Sequence, residues 1–134
     1  VNQKINNQRG YTLLELIIVL AIIGILASIS TPFFGKFKES AAHKADEATA
    51  ITIVNAIRLY SIDTQETFSD LITSANGEKV SGEVAYKEYF ETIPKPQKTG
   101  ETAFRVKIDE NKNIFIHYDK NGTLGEKLYP KDNP

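Results

Sequence analysis

The stretch that decides the fold is Arg9-Gly10-Tyr11-Thr12-Leu13-Leu14-Glu15 and the apolar run after it, RGYTLLELIIVLAIIGILASI over residues 9–29. From Tyr11 to Ile29, nineteen residues carry one charge, that of Glu15. This length suffices to cross the hydrocarbon core of a bilayer as an α-helix. The acid does not prevent insertion. Twelve Leu, Ile and Val residues between 13 and 29 each contribute roughly −0.3 to −0.6 kcal/mol, about −5 kcal/mol together, against about +3 kcal/mol for the acid. Glu15 also lies about 6 Å, one helical turn, beyond Tyr11, close to one membrane surface where the penalty shrinks.

Two plainer readings compete. A secretory signal peptide has a basic start, an apolar stretch of about 7–15 residues and a small-residue cleavage site. Lys4 and Arg9 supply the start, and Ala27-Ser28-Ile29-Ser30 could be forced into the cleavage site. The run is long for that reading and carries an acid near its beginning. A simple membrane anchor fits the length, with Lys4 and Arg9 on the cytoplasmic side, but leaves Glu15 unexplained.

Through Gly10, Tyr11, Glu15 and the run Leu16 to Ala27, the chain resembles the type IV pilins and their pseudopilin relatives, closely over about its first sixty residues. The resemblance implies that a prepilin peptidase removes the leader by cutting between Gly10 and Tyr11. The new N-terminus, Tyr11, would then be N-methylated; family members usually carry phenylalanine there. Glu15, fifth in the cut chain, would set the axial register of an incoming subunit. Val1 in first place reads either as a non-AUG start or as a clipped end, and both stay open.

The same resemblance implies the partners: identical or related pilin subunits, the prepilin peptidase and methyltransferase, an assembly platform with its motor ATPase, and the membrane before assembly. Localisation follows as single-pass in the cell membrane with the head outside, then in an extracellular filament. The implied function is that of a structural subunit of a type IV pilus for adhesion or motility. The alternative is a pseudopilin of a type II secretion or competence DNA-uptake machine. A membrane-anchored binding protein that never polymerises is a third reading and requires an uncut leader.

The chemistry of Glu15 can be argued without the resemblance. Cutting after Gly10 creates an ammonium group on Tyr11, and a carboxylate in apolar surroundings is tolerated when a fixed positive partner meets it. A neighbouring subunit can supply that partner, so the acid is penalised in lipid and relieved in a filament.

The chain of 134 residues has formal charge −1, and loss of Lys4 and Arg9 leaves −3. Basic residues beyond the leader are scattered along the sequence, so direct nucleic-acid binding is not expected. There is no cysteine. A small exported head usually needs a staple, and Gram-negative members of the resembling family commonly close their C-terminal loop with a disulfide. Its lack here points to a Gram-positive or strictly anaerobic source. Without cysteine, with two histidines in unrelated patterns and with no phosphate-cradling glycine motif, nucleophilic triads and histidine-rich metal sites lack parts. The chain is therefore not expected to be an enzyme or to carry a cofactor or metal. Asp109, Asn111 and Asn113, and the looser set Asp119, Asn121 and Glu126, have part of a calcium-loop spacing but lack its full pattern. Turns explain both. Asn121-Gly122-Thr123 also matches a glycosylation acceptor, for which a hairpin turn is sufficient reason.

The domain order read from these patterns is a leader over 1–10, a transmembrane or filament-core helix over 11–31, the amphipathic half of the same helix over 32–62, and a globular head over 63–134. The fold class is α+β: a long N-terminal helix packed on a small three-stranded antiparallel sheet, with one or two short helices between. A continuous helix from Tyr11 to Ile62 would be about 78 Å long, the alternative being two helices separated at Pro32. Gly24 and Pro32 are weak points of the helix; the resemblance implies local loss of helix between them in an assembled filament, the alternative being simple tolerance of both residues in a membrane helix. Beyond Pro32, Phe37, Ala41, Ala45, Ala48, Ile51, Val54 and Ile57 recur at three or four, with His43 and Asp46 on the polar side. Short helices are predicted over 67–76 and 83–92. The second is built on Tyr86, Tyr89, Phe90 and Ile93, read as a core stripe. Alternation after Gly100 predicts a β-meander over 102–129, with Asn121-Gly122 as a type I′ turn. The sheet is to be covered by Ile53, Val54, Ile57 and Tyr60.

Overall fold

The computed structural model describes residues 10–67, 71 and 74–132. The chain divides into two compact units, one reaching Phe37 and one of Lys38–Pro134. A single helix, α1 (Leu13–Thr64), contributes to both. Pro32 lies inside it, so the alternative of two helices separated at the proline does not hold. The helix ends where Gln65 takes φ 57°, the left-handed conformation that closes many helices. Its last turn is tied down by Thr64 Oγ1 donating to the Tyr60 carbonyl at 2.7 Å and Ser61 Oγ donating to the Glu66 carbonyl at 2.8 Å.

In the second unit, four antiparallel strands pair in chain order: β1 (Glu78–Lys79), β2 (Phe104–Ile108), β3 (Ile114–Lys120) and β4 (Thr123–Tyr129). Burial alternates along β2 and β3, which follows from the two-residue period of a strand with one covered face. The β3–β4 turn has Asn121 at φ 51° and Gly122 at φ 84°, as a type I′ hairpin requires. The β2–β3 turn is held by Lys112 N–H donating to the Asp109 carbonyl at 2.9 Å. Asp109 Oδ1 and Oδ2 accept from the Asn113 N–H and Nδ2 at 2.8 and 3.0 Å, so this carboxylate serves the turn.

Ala50, Ile53, Val54 and Ile57 of α1 are fully buried together with Phe104, Val106, Ile116 and Tyr118 of the sheet. Each large apolar side chain so buried contributes roughly 1.5–3 kcal/mol. Tyr86 is buried, and Tyr89, Phe90 and Ile93 pack against the same cluster, so the aromatic stripe is core.

Three expectations need correction, and a fourth falls partly outside the described residues. The sheet has four strands rather than three; β1 is two residues long, too short for alternation to announce it. It exists because Gly77 takes φ 69° and brings the chain so close to β2 that a Cβ would lie 2.6 Å from the Val106 carbonyl oxygen. The helix predicted over 83–92 is replaced by turns and a single 3-10 turn, Lys87–Tyr89; its aromatic spacing reflects contacts to the distant sheet. Of the helix predicted over 67–76, residues 68–70, 72 and 73 lie outside the described set, and Leu71, Ala75 and Asn76 are in turns. Finally, the buried stripe of α1 is rotated from the one expected. Ala48 and Ile51 are exposed, whereas Asp46 is fully buried and His43 half-buried.

Candidate functional site

The first site is the N-terminal end of α1. Gly10 and Tyr11 precede the helix and are exposed, Tyr11 at 93%, so the Gly10–Tyr11 peptide bond lies outside any regular element. Thr12 and Glu15 then cap the helix reciprocally. Glu15 Oε2 accepts from the Thr12 N–H at 2.8 Å and from Thr12 Oγ1 at 3.1 Å, while the Glu15 N–H donates to Thr12 Oγ1 at 3.2 Å. This is the capping box of a Thr-x-x-Glu sequence, and an acid in the first turn also suits the helix dipole. The carboxylate is thus satisfied within the chain itself. Thr12 was legible at its spacing of three from Glu15; reading Glu15 only as a charge in a membrane span hid it.

From Leu13 to Phe37 the helix is exposed on every side, and its apolar window has mean hydropathy 2.7 with none of it buried. By length and composition it can cross a membrane. Its polar side chains are masked internally: Ser28 Oγ, Ser30 Oγ and Thr31 Oγ1 donate to the Ile25, Leu26 and Ala27 carbonyls at 2.7, 2.9 and 2.9 Å. Such back-bonding removes hydroxyls from lipid just before Pro32, where the helix lacks a backbone donor. Gly24 and Pro32 both lie within the continuous helix, so the softening expected of them is not seen in the single chain.

The head holds a second constellation that sequence reasoning missed. Asp46, fully buried, accepts from the backbone N–H groups of Gln97 and Lys98 at 2.7 and 3.0 Å and from Tyr118 Oη at 2.8 Å. Because the Tyr118 proton is directed to Asp46, His43 Nδ1 is the donor in its 3.2 Å contact with Tyr118 Oη. His43 Nε2 faces Glu47 at 3.5 Å and Glu126 at 3.7 Å, and Glu126 pairs with Lys98 at 2.7 Å. Burial, followed by the bond to Asp46, holds the Tyr118 phenol well above its ordinary pKa. The bond to Lys98 holds the Glu126 carboxyl below its ordinary value and raises the Lys98 ammonium in turn. Tyr89 is pushed up to about 12, chiefly by its hydrogen bond to Asp63. The arrangement ties α1, the 94–100 segment, β3 and β4 together where a disulfide would otherwise serve.

Of the two candidate calcium sets, Asp109 is engaged by Asn113 and by the backbone of Asn111. Asp119, Asn121 and Glu126 do line one surface cleft with Glu101. There Asp119 Oδ1 is taken by Arg105 Nε at 2.5 Å and Glu126 by Lys98. No cluster of three or more His, Cys, Asp or Glu suited to a metal occurs among the described residues.

Comparison with known proteins agrees with the N-terminal geometry. Residues 5–31 match the family profile described as the prokaryotic N-terminal methylation motif. The chain is 38% identical over 58 residues to the type II secretion system core protein G of Escherichia coli K12, covering 43% of this chain and 40% of that protein. It is 28% identical over 123 residues to prepilin peptidase-dependent protein A of Clostridium perfringens, covering 84% and 86%. It is also 36% identical over 63 residues to competence protein ComGC of Halalkalibacterium halodurans, covering 47% and 62%. The match thus takes in less than half the length of the secretion relative. No solved structure gave a significant match.

Proposed function

We propose, from the chain's membership of the type IV pilin and pseudopilin family, that it is the precursor of a filament subunit. It is cut after Gly10, N-methylated at Tyr11 and polymerised through α1. Partners on this reading are other subunits, the peptidase and methyltransferase, and an assembly platform with a motor. The chain is their substrate and building block rather than an enzyme. It waits in the membrane with its head outside and ends in an extracellular filament.

The observation that carries the reading is the exposed helix Leu13–Phe37, headed by an acid held on Thr12 and preceded by an exposed Gly10–Tyr11 bond. A peptidase requires an extended, accessible bond, and this one is exposed and outside the helix. Cutting there leaves an ammonium on Tyr11, and Glu15 can exchange its internal partner Thr12 for the ammonium of a neighbour, a bond in which both partners are charged. Lipid and neighbouring helices are similarly apolar, so extraction of the rest of the helix exchanges like for like.

A surface pilus for adhesion or motility is the first reading. A pseudopilin of a secretion or competence machine is the second, favoured by the names of the secretion and competence relatives. Electron microscopy of the producing cells with mass spectrometry of the subunit N-terminus tests both. Long filaments built of subunits beginning at methylated Tyr11 support the pilus. Short or absent filaments with the same N-terminus support the pseudopilin. A subunit that retains Arg9-Gly10 overturns the processing on which both depend.

A further inference from the structure

Three phenylalanines at the far end of the apolar helix are used neither by processing, nor by the Glu15 contact, nor by the core of the head. Phe33, Phe34 and Phe37 are 70%, 69% and 73% exposed. Phe37 opens the three-and-four spacing read from the sequence, yet none of the three rings joins the core cluster. All three belong to the first compact unit, which ends at Phe37.

Helical rise sets where the rings fall. At about 1.5 Å per residue, Phe33, Phe34 and Phe37 lie about 30, 32 and 36 Å beyond Leu13, and the hydrocarbon core of a bilayer is about 30 Å thick. The rings therefore follow the span at the boundary between hydrocarbon and water, where aromatic side chains collect. Their arrangement round the helix suits that depth. At about 100° per residue the three rings share one sector, Lys36 and Lys38 stand on either side of it, and Glu39 faces the opposite way. Glu39 is the first acid after Glu15. Lys36 and Lys38 are exposed, and among the described residues neither has a carboxylate within 4 Å.

An aromatic stripe edged by two unpaired cations fits a layer of lipid headgroups. The rings take the acyl side, while the lysine stems run along them and carry the ammonium groups out to the phosphates. The apolar helix of a second copy would cover the rings but offers no acid between Leu16 and Lys38, so both ammonium groups would go unmatched. We propose that Phe33, Phe34 and Phe37, with Lys36 and Lys38, anchor the subunit at the outer surface of the membrane, rings at the hydrocarbon boundary and ammonium groups on anionic phospholipid headgroups. The inference rests on the reading that the chain waits in the membrane with its head outside. It adds the depth at which the chain is held and the lipid that holds it.

The chain has no tryptophan, so a single introduced one reports depth without background. Full-length Phe34→Trp and, as a mid-span reference, Ile22→Trp are reconstituted separately into vesicles of phosphatidylcholine and phosphatidylglycerol in equal parts. Quenching is read with lipids brominated either beside the headgroup or at the chain end. F34W should be quenched mainly by the first kind and I22W mainly by the second. With bromine then carried by only one of the two lipid classes, F34W should favour phosphatidylglycerol by about fivefold per lysine engaged. Adding K36A/K38A should bring the two classes to parity and leave the depth of I22W unchanged. Should F34W fail to insert, F33W reports the same boundary. Emission of F34W from water, quenching of F34W as deep as that of I22W, or equal quenching by the two lipid classes overturns the proposal. Absence of quenching in I22W overturns instead the membrane reading beneath it.

Discussion

Tyr118 Oη on β3 donates to Asp46 Oδ2 on α1 at 2.8 Å, joining residues 72 apart in sequence. With the N–H groups of Gln97 and Lys98 on the same carboxylate, this contact fixes the 94–100 segment between helix and sheet. Asp46 is the one charged residue that is fully buried among those described.

Asp46→Ala leaves two backbone donors and a phenol without their acceptor in a buried site. A loss of about 2–4 kcal/mol in unfolding free energy is expected, and Tyr118→Phe, which removes one bond of three, should cost about 1–2 kcal/mol. Urea titration of the detergent-solubilised chain, followed by near-ultraviolet circular dichroism, reads both. Equal effects would show that the carboxylate does not act as the hub.

Gly77→Ala forces a side chain onto φ 69° and against the Val106 carbonyl. It should destabilise the head by about 1–3 kcal/mol. At Gly82 an added Cβ would meet nothing within 4 Å, and the backbone lies outside the left-handed region, so Gly82→Ala should change stability by less than about 1 kcal/mol. Paired urea titrations of the two variants give the comparison.

The Lys98–Glu126 pair gives a pH dependence with opposite signs at its two ends. The Glu126 carboxyl is held below its ordinary value, so its contribution is present above that value and is lost as pH falls through the lowered one. The Lys98 ammonium is held above its ordinary value, so its contribution is complete below that value and is lost as pH rises through the raised one. Thermal melts should therefore show a stability plateau at neutral pH whose acid and alkaline edges both soften in Glu126→Gln. An unchanged profile in that variant would remove the pair from the account.

The long helix and the three long strands were legible because each rests on a pattern repeated over many residues, the 3.6 period through Ile57 and the alternation Phe104-Arg105-Val106-Lys107-Ile108. Asn121-Gly122 was legible because its chemistry admits few turns. Asp46 was not. Nothing in its neighbourhood announces partners 51 to 72 residues away, and at its helical position a carboxylate normally faces water. The aromatic spacing at Tyr86, Tyr89, Phe90 and Ile93 gave the right burial and the wrong backbone, since packing on a distant sheet does not require the residues between to be helical. At the N-terminal site, Glu15 was legible as an anomaly, and Thr12, its partner, was present in the same seven residues.

The most direct measurement compares filaments and processing in Glu15→Gln and Glu15→Val. Glutamine can keep the capping contact to Thr12 but carries no charge, whereas valine loses both. If the carboxylate serves to pair with the ammonium of a neighbouring subunit, both variants should enter the membrane and lose their leader as the parent does. Filament yield by electron microscopy should then fall in both, by about tenfold or more, as expected for an ammonium left without its carboxylate. Filaments at parental abundance in Glu15→Gln would contradict this account and reduce Glu15 to the cap of its own helix.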